Sequence, residues 1–508
     1  LKWRLKGSND MNYVIGIDLG TSAVKALLVD QKGHVAAEAS EDFPLYHDQP
    51  GYSEQDPDDW VRQTKKAIRS LIQHSKVAPQ AIKGLSFSGQ MHGLVLLDKN
   101  MRPLRRAILW NDTRTTQECH EIEAQVGLKD LLAIAKNRAL EGFTLPKLLW
   151  VKKHEPEQFQ HATTFLLPKD YVRYHLTGQV GMDLSDAAGT LLLDITNRRW
   201  SAKIAERLGV DLTLCPPIVE AEACVGHLTR GAASETGLTE ETMVFAGGAD
   251  NACGAIGSGI LSEGKTMCSI GTSGVVLSYE PSGNQDFSGK VHYFNHAKKG
   301  SFYTMGVTLA AGYSLDWFKK TFVKAESFEA LFQHIKEVPV GSKGLLFTPY
   351  IVGERTPHAD SSIRGSFIGV DATHTKWDFA RAVVEGITFS LNESINILKE
   401  SGKTIDSVIS IGGGAKSEEW LQIQADVFDA PIIKLKNEQG PGMGAAMLAA
   451  VGCGFFPSLE ACSDVFIEVE RQISPIPENV QAYKALFKLY QTVYGQTQTL
   501  SEHLQALK

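Results

Sequence analysis

Short apolar runs that end on glycine-containing turns recur along the chain. Tyr13 to Ile17 leads into Asp18-Leu19-Gly20-Thr21-Ser22 and is followed by the apolar run Val24 to Val29; Thr266 to Ile270 leads into Gly271-Thr272-Ser273-Gly274 and is followed by Val275 to Tyr279. Each pair of runs predicts a β-hairpin. The two Gly-Thr-Ser turns lie 251 residues apart in a chain of 508, which suggests two like halves. A third strand is expected over Val35 to Phe43, and a helix over Pro57 to Ser75 with Asp58 and Asp59 in its first turn. Lys83 to Ser88 reads as a strand ending in Gly89-Gln90-Met91-His92-Gly93, with Leu94 to Asp98 as its return. Phe143 to His154 reads as a helix, and Thr242 to Ala246 as a buried strand that ends at Gly247-Gly248-Ala249-Asp250-Asn251.

The second half continues in the same style. Phe302 to Met305 reads as a strand and Tyr313 to Thr321 as a helix. Trp377 to Glu400 is a long helix that brings Phe379, Val383, Ile387 and Leu391 onto one core-facing stripe. Ser407 to Ile411 is a strand running into Gly412-Gly413-Gly414-Ala415, and Ser417 to Phe428 a helix. The pattern predicts α/β architecture with glycine-rich loops after the strands, where ligands of such folds gather. The expected halves are residues 11–246 and 247–508. Leu1 to Asp10 is polar and basic, precedes Met11, and reads as a tag or a mis-set start.

Composition narrows the function classes. With 43% hydrophobic residues the chain can build large cores, and a formal charge of −7 argues against nucleic acid or an acidic membrane as partner. No apolar stretch approaches the ~20 residues of a membrane span. Seven scattered cysteines, with no C-x-x-C pair, signal neither a disulfide framework nor a zinc site, and a reducing cytoplasm is the expected setting.

Each Gly-Thr-Ser turn can aim backbone N–H groups and hydroxyls at phosphate oxygens, although it is also common turn chemistry. Asp18 has no counterpart in the second copy, which suggests that it serves a metal. Gly412-Gly413-Gly414 before a helix allows close approach of a ligand or simply a tight turn. Asp250, among Gly248, Asn251 and Gly254, suits a general base, or a helix cap. Met91-His92-Gly93 can present an imidazole to a polyol, and Trp110-Asn111-Asp112 with Arg114 offers a planar face and several donors. Neither a P-loop nor a correctly placed G-x-G-x-x-G is present.

Taken together, several ordered stretches resemble the FGGY family of carbohydrate kinases. They are Asp18-Leu19-Gly20-Thr21-Ser22, Trp110-Asn111-Asp112-Thr113-Arg114, Thr144-Leu145-Pro146-Lys147-Leu148-Leu149-Trp150, Gly247-Gly248-Ala249-Asp250-Asn251, Gly353-Glu354-Arg355-Thr356-Pro357, and Gly365-Ser366-Phe367-Ile368-Gly369 with Ala382-Val383-Val384-Glu385. The resemblance implies a two-lobed actin-like ATPase (ribonuclease H-like) fold with a deep interdomain cleft. Gln90-Met91-His92-Gly93, Leu167-Pro168-Lys169-Asp170-Tyr171 and Ser185-Asp186-Ala187-Ala188-Gly189-Thr190 are similar to the members that phosphorylate D-xylulose with ATP and Mg²⁺.

The same resemblance implies Asp250 as proton acceptor, Met91, His92, Asn251 and Trp110 at the sugar, and Asp18 at Mg²⁺. It puts the ATP phosphates on Thr21, Ser22, Lys25, Gly271, Thr272 and Ser273, and adenosine on Gly413, Gly414 and Ser417. Relatives often carry Arg in place of Lys25, a forked donor rather than a point charge. A small sugar is the expected partner, without nucleic acid or membrane, and a homodimer is allowed for. A kinase for another ketose or polyol, such as L-ribulose or glycerol, and a non-kinase actin-like ATPase are the alternatives.

Overall fold

Residues 11–507 are described by a computed structural model, and the leader expected over residues 1–10 lies outside them. Strands β1 (Tyr13–Leu19), β2 (Ala23–Asp30), β3 (Val35–Asp42), β4 (Ile82–Gly89), β5 (Cys224–His227) and β6 (Met243–Phe245) form a sheet in the order β5-β6-β4-β1-β2-β3, and β7 (Gly248–Ala249) also pairs with β4. A second sheet contains β8 (Lys265–Ile270), β9 (Gly274–Glu280), β10 (His292–Asn295), β11 (Phe302–Thr308), β12 (Ser407–Gly412), β13 (Ile432–Leu435) and β14 (Val469–Ile473), in the order β10-β11-β9-β8-β12-β13-β14.

Strand directions repeat between the sheets. Along β3-β2-β1-β4-β6-β5 the successive pairings are antiparallel, antiparallel, parallel, parallel and antiparallel. Along β11-β9-β8-β12-β13-β14 the same series occurs. The repeat suggested by the twin turns thus runs through six strands of each sheet.

The helices that position the site are α1 (Pro57–Ser75), α2 (Thr144–His154), α3 (Pro168–Thr177) and α4 (Leu184–Ala188) in the first half. They continue with α5 (Asp250–Gly257), α6 (Gly312–Phe322), α7 (Phe328–Glu337), α8 (Lys376–Glu400), α9 (Glu418–Phe428) and α10 (Gly440–Gly452). In α8, Val383, Ile387 and Leu391 are fully buried as the stripe requires, and Phe379 packs partly buried at its edge.

β1 and β2 are apolar without alternation because both faces of the sheet are covered. Ile15, Ile17, Leu19, Val24, Ala26 and Leu28 share a core with Trp60, Ile68 and Leu71 of α1. Val14, Leu27 and Val29 belong instead to the core that holds Met443, Ala446 and Met447 of α10. That contact is close. A Cβ on Gly16 of β1 would stand 2.0 Å from the carbonyl oxygen of Gly442, and one on Gly444 1.9 Å from that of Cys253 in α5.

Two expectations change. Val95–Leu97 does not return along β4 but pairs with Thr164–Leu166 in a separate ribbon, because both flanks of β4 are already taken by β1 and by β6 with β7. The junction expected at 246/247 also moves. Gly248 and Ala249 still pair with Ser88 and Gly89 of the first sheet, and the chain crosses to the second within 258–264.

Candidate active site

Asp250 opens α5 directly after β7, so the first sheet fixes its backbone. Its Oδ1 accepts from the backbone N–H of Asn251 at 2.7 Å and from the Asn251 amide at 3.3 Å. The same amide approaches Met91 Sδ at 3.5 Å, and Tyr303 of β11 donates its hydroxyl to that sulfur at 3.9 Å. These contacts gather the loop after β4, the start of α5 and β11 of the second sheet around Met91.

His92 has a left-handed backbone, φ 70°, an uncommon conformation for a side chain of its type. Its carbonyl oxygen is held from beneath by Thr144 Oγ1 at 3.0 Å and Lys147 Nζ at 3.1 Å, both from α2. Its Nδ1 lies 2.6 Å from the carbonyl oxygen of Gly189. Burial, then the nearby Lys147 charge, pushes the imidazole down to about 3, so the ring is neutral at working pH. A carbonyl can only accept, so Nδ1 carries the proton and Nε2 is a bare acceptor.

Asp250 and Asp18 are enclosed by protein, yet each keeps an edge open to solvent. Burial, and then the charge of Asp18, pushes Asp250 up to about 7. Burial also raises Asp18, against the pull of Lys25. Asp18 is thus near enough for its charge to act on Asp250, and carboxylate oxygens are hard donors of the kind Mg²⁺ takes.

A cavity of about 770 Å³ is lined by Gly271 and Thr272 of the β8–β9 turn, by Gly413, Gly414 and Ser417, and by aromatic walls that include Tyr313 and Trp420. Ser417 caps α9, its Oγ accepting from the Trp420 N–H at 3.3 Å. Ser273 is not in the lining; its carbonyl closes the turn by accepting from Gly271 N–H at 2.9 Å.

At the other turn, Thr21 Oγ1 accepts from the Trp110 indole N–H at 2.9 Å, and Ser22 is exposed. Trp110 is thus hydrogen-bonded to the first hairpin. Arg114 is not a free sugar donor. Its guanidinium is used on Asp112 (2.6 Å) and Glu54 (2.7 Å) and stacks on Tyr52.

Lys25 Nζ reaches Gln439 Oε1 at 3.2 Å and Glu38 at 3.0 Å. The preceding residue, Glu438, accepts from Gly412 N–H at 2.8 Å. Adjacent residues thus tie the first hairpin to the glycine loop that lines the large cavity. This link, Tyr303, and the support of His92 by Thr144 and Lys147 escaped sequence reasoning. The Thr144-to-Trp150 motif was the available signal for the last of these. Among the described residues no helix is long and apolar enough to cross a membrane.

Residues 13–257 match the N-terminal domain, and residues 266–453 the C-terminal domain, of the FGGY family of carbohydrate kinases. A xylulose kinase of Bacillus subtilis (strain 168) is 60% identical over 498 residues, 98% of this chain and 100% of that protein. The solved xylulose kinase of Rhodospirillum rubrum superposes with a TM-score of 0.91 at 27% identity, covering 96% of this chain and 100% of its own. The solved gluconate kinase of Lactobacillus acidophilus gives the same TM-score and identity, with coverages of 96% and 98%. The two-lobed actin-like ATPase architecture expected from the sequence is the observed one.

Proposed function

The chain belongs to the FGGY family of carbohydrate kinases, and on that footing we propose that it transfers the γ-phosphoryl group of ATP to D-xylulose, forming D-xylulose 5-phosphate. The observation that carries the site assignment is Asp250, whose pKa near 7 matches a proton acceptor at neutral pH, beside Asn251 and Met91. Asp250 accepts the proton of the terminal sugar hydroxyl as that oxygen attacks the γ-phosphorus. His92 Nε2 accepts a hydroxyl of the sugar, and the Asn251 amide donates to another.

Thr21, Ser22, Lys25, Gly271, Thr272 and Ser273 supply donors to the phosphates, and Gly413, Gly414 and Ser417 face the adenosine. Phosphoryl transfer depends mainly on positioning and charge stabilisation, which these two turns provide. Mg²⁺, when bound, would neutralise phosphate charge, and Asp18 would hold it. Seven free cysteines are at home in a cytoplasmic setting.

Equal structural likeness to a xylulose and a gluconate kinase means that the fold does not choose the sugar. Sequence identity of 60% to a xylulose kinase favours the ketose. A coupled ADP-release assay over D-xylulose, L-ribulose, glycerol and gluconate tests this. D-xylulose is expected to give the highest kcat/KM, and a tenfold preference for any other member of the panel would overturn the assignment.

A further inference from the structure

Behind the sugar pocket lies a group of charges that contacts no solvent. Lys169 Nζ stands 2.7 Å from Asp170 Oδ1, 2.7 Å from Asp183 Oδ1 and 2.9 Å from Asp186 Oδ2, and all four side chains are fully buried. The three carboxylates are close enough together to hold a metal ion, but the ammonium fills that position. Arg173 Nη1 adds a contact to Asp170 at 2.9 Å. Two cations face three carboxylates, and burial raises Asp186 well above the usual carboxylate range. Breaking one partner out of such a group is costly, because the rest stays uncompensated.

The group reaches the site through two branches. Asp183 Oδ2 accepts from the Ser185 N–H at 2.8 Å and from the Ser185 hydroxyl, and Ser185 Oγ in turn accepts from the Ala249 N–H at 2.9 Å. Ala249 immediately precedes Asp250. Arg173 Nη1 donates to the carbonyl oxygen of Ala246 at 2.7 Å, so both ends of the segment 246–249 are tied down. In the other branch Asp183 caps α4, and α4 ends at Gly189, whose carbonyl oxygen sets the tautomer of His92.

We infer that the buried Lys169–Asp183–Ser185 network is a positioning device that aligns Asp250 and the His92–Gly189 pair on one rigid base. It rests on the reading of Asp250 as the proton acceptor. None of its members touches the reacting atoms; Ser185 acts through the Ala249 N–H.

Ser185→Ala, Asp250→Ala and the double variant test it by steady-state kinetics with D-xylulose. Ser185→Ala is expected to lower kcat roughly 10- to 100-fold and raise KM for the sugar, with KM for ATP within about twofold of the parent, since misplacement of a reacting group costs this order of rate. On the Asp250→Ala background the same substitution should change kcat less than about twofold, because groups acting as one unit are non-additive. Lys169→Met should reproduce the kcat loss where it folds, and the Ser185 pair decides where it does not. The inference is overturned if Ser185→Ala keeps kcat within twofold of the parent, or if its full loss recurs without Asp250. Near-normal turnover of Asp250→Ala would instead sink the base assignment itself, and loss there with a normal Ser185→Ala would sink only the positioning role.

Discussion

At the scale of single residues, the site is governed by how much water each ionisable group has lost. As the proposed proton acceptor Asp250 must be deprotonated, so activity is expected to fall as pH drops through its value near 7. Asp18 contributes to that elevation, and Asp18→Asn should move the acid limb of kcat/KM to lower pH, by at least about 0.5 unit. A limb that stays in place or rises would contradict the coupling.

The same shift has a stability sign. A carboxyl whose folded pKa is raised from 3.8 to about 7 destabilises the folded state fully above pH 7, and the penalty fades as pH falls toward 4. Asp250→Asn should therefore melt about 2 °C higher than the parent at pH 8 and show no advantage at pH 4, as differential calorimetry at the two pH values would measure. His92 offers a third check. With its imidazole held near 3, its ring ¹⁵N shifts should not titrate between pH 5 and 9, and His92→Ala should raise KM for the sugar about tenfold.

At the scale of elements, close packing of glycines is the feature with the largest expected energetic effect. Gly444→Ala drives a methyl into the carbonyl of Cys253 at 1.9 Å, against backbone that cannot turn aside. It should cost ~2–4 kcal/mol, read as a lowered denaturation midpoint at unchanged m-value. The hairpins and the stripe of α8 were legible in the sequence because each follows a simple period or a turn residue. α10 was not. Its sequence, Gly440 to Gly452, is small and apolar all round, so it shows no amphipathic period, and it is helical because protein surrounds it on several sides. The return of Leu94 to Asp98 was misread for a related reason, since strand pairing depends on which flanks are free, a tertiary fact. At the site, Asp250, Asn251 and Met91, singled out by their motifs, lie together; Lys147 was visible only as part of the Thr144-to-Trp150 motif, and Tyr303, 212 residues from Met91 along the chain, carries no local signature.

At the scale of the whole molecule, Met91, His92 and Asn251 come from the first half and Tyr303 from the second, whereas the cavity of about 770 Å³ is lined from the second half alone. On the proposed assignment that cavity takes the adenosine without sugar, whereas the groups around Met91 come together only when both halves meet. ADP release without a sugar should run roughly a hundredfold or more below the rate with D-xylulose, because water then lacks an aligned position. A sugar-independent rate comparable to the stimulated one would show that the pocket does not control access.

The crossing of α10 back to the first sheet reaches into the life of the chain before it is an enzyme. On the ribosome, β1, β2 and β4 are made early, yet one face of their sheet waits for Met443 to Met447 before it is covered. For most of synthesis that face is bare and sticky, a surface for chaperones or for misassembly. The lobe that begins first is covered only after most of the second has been made.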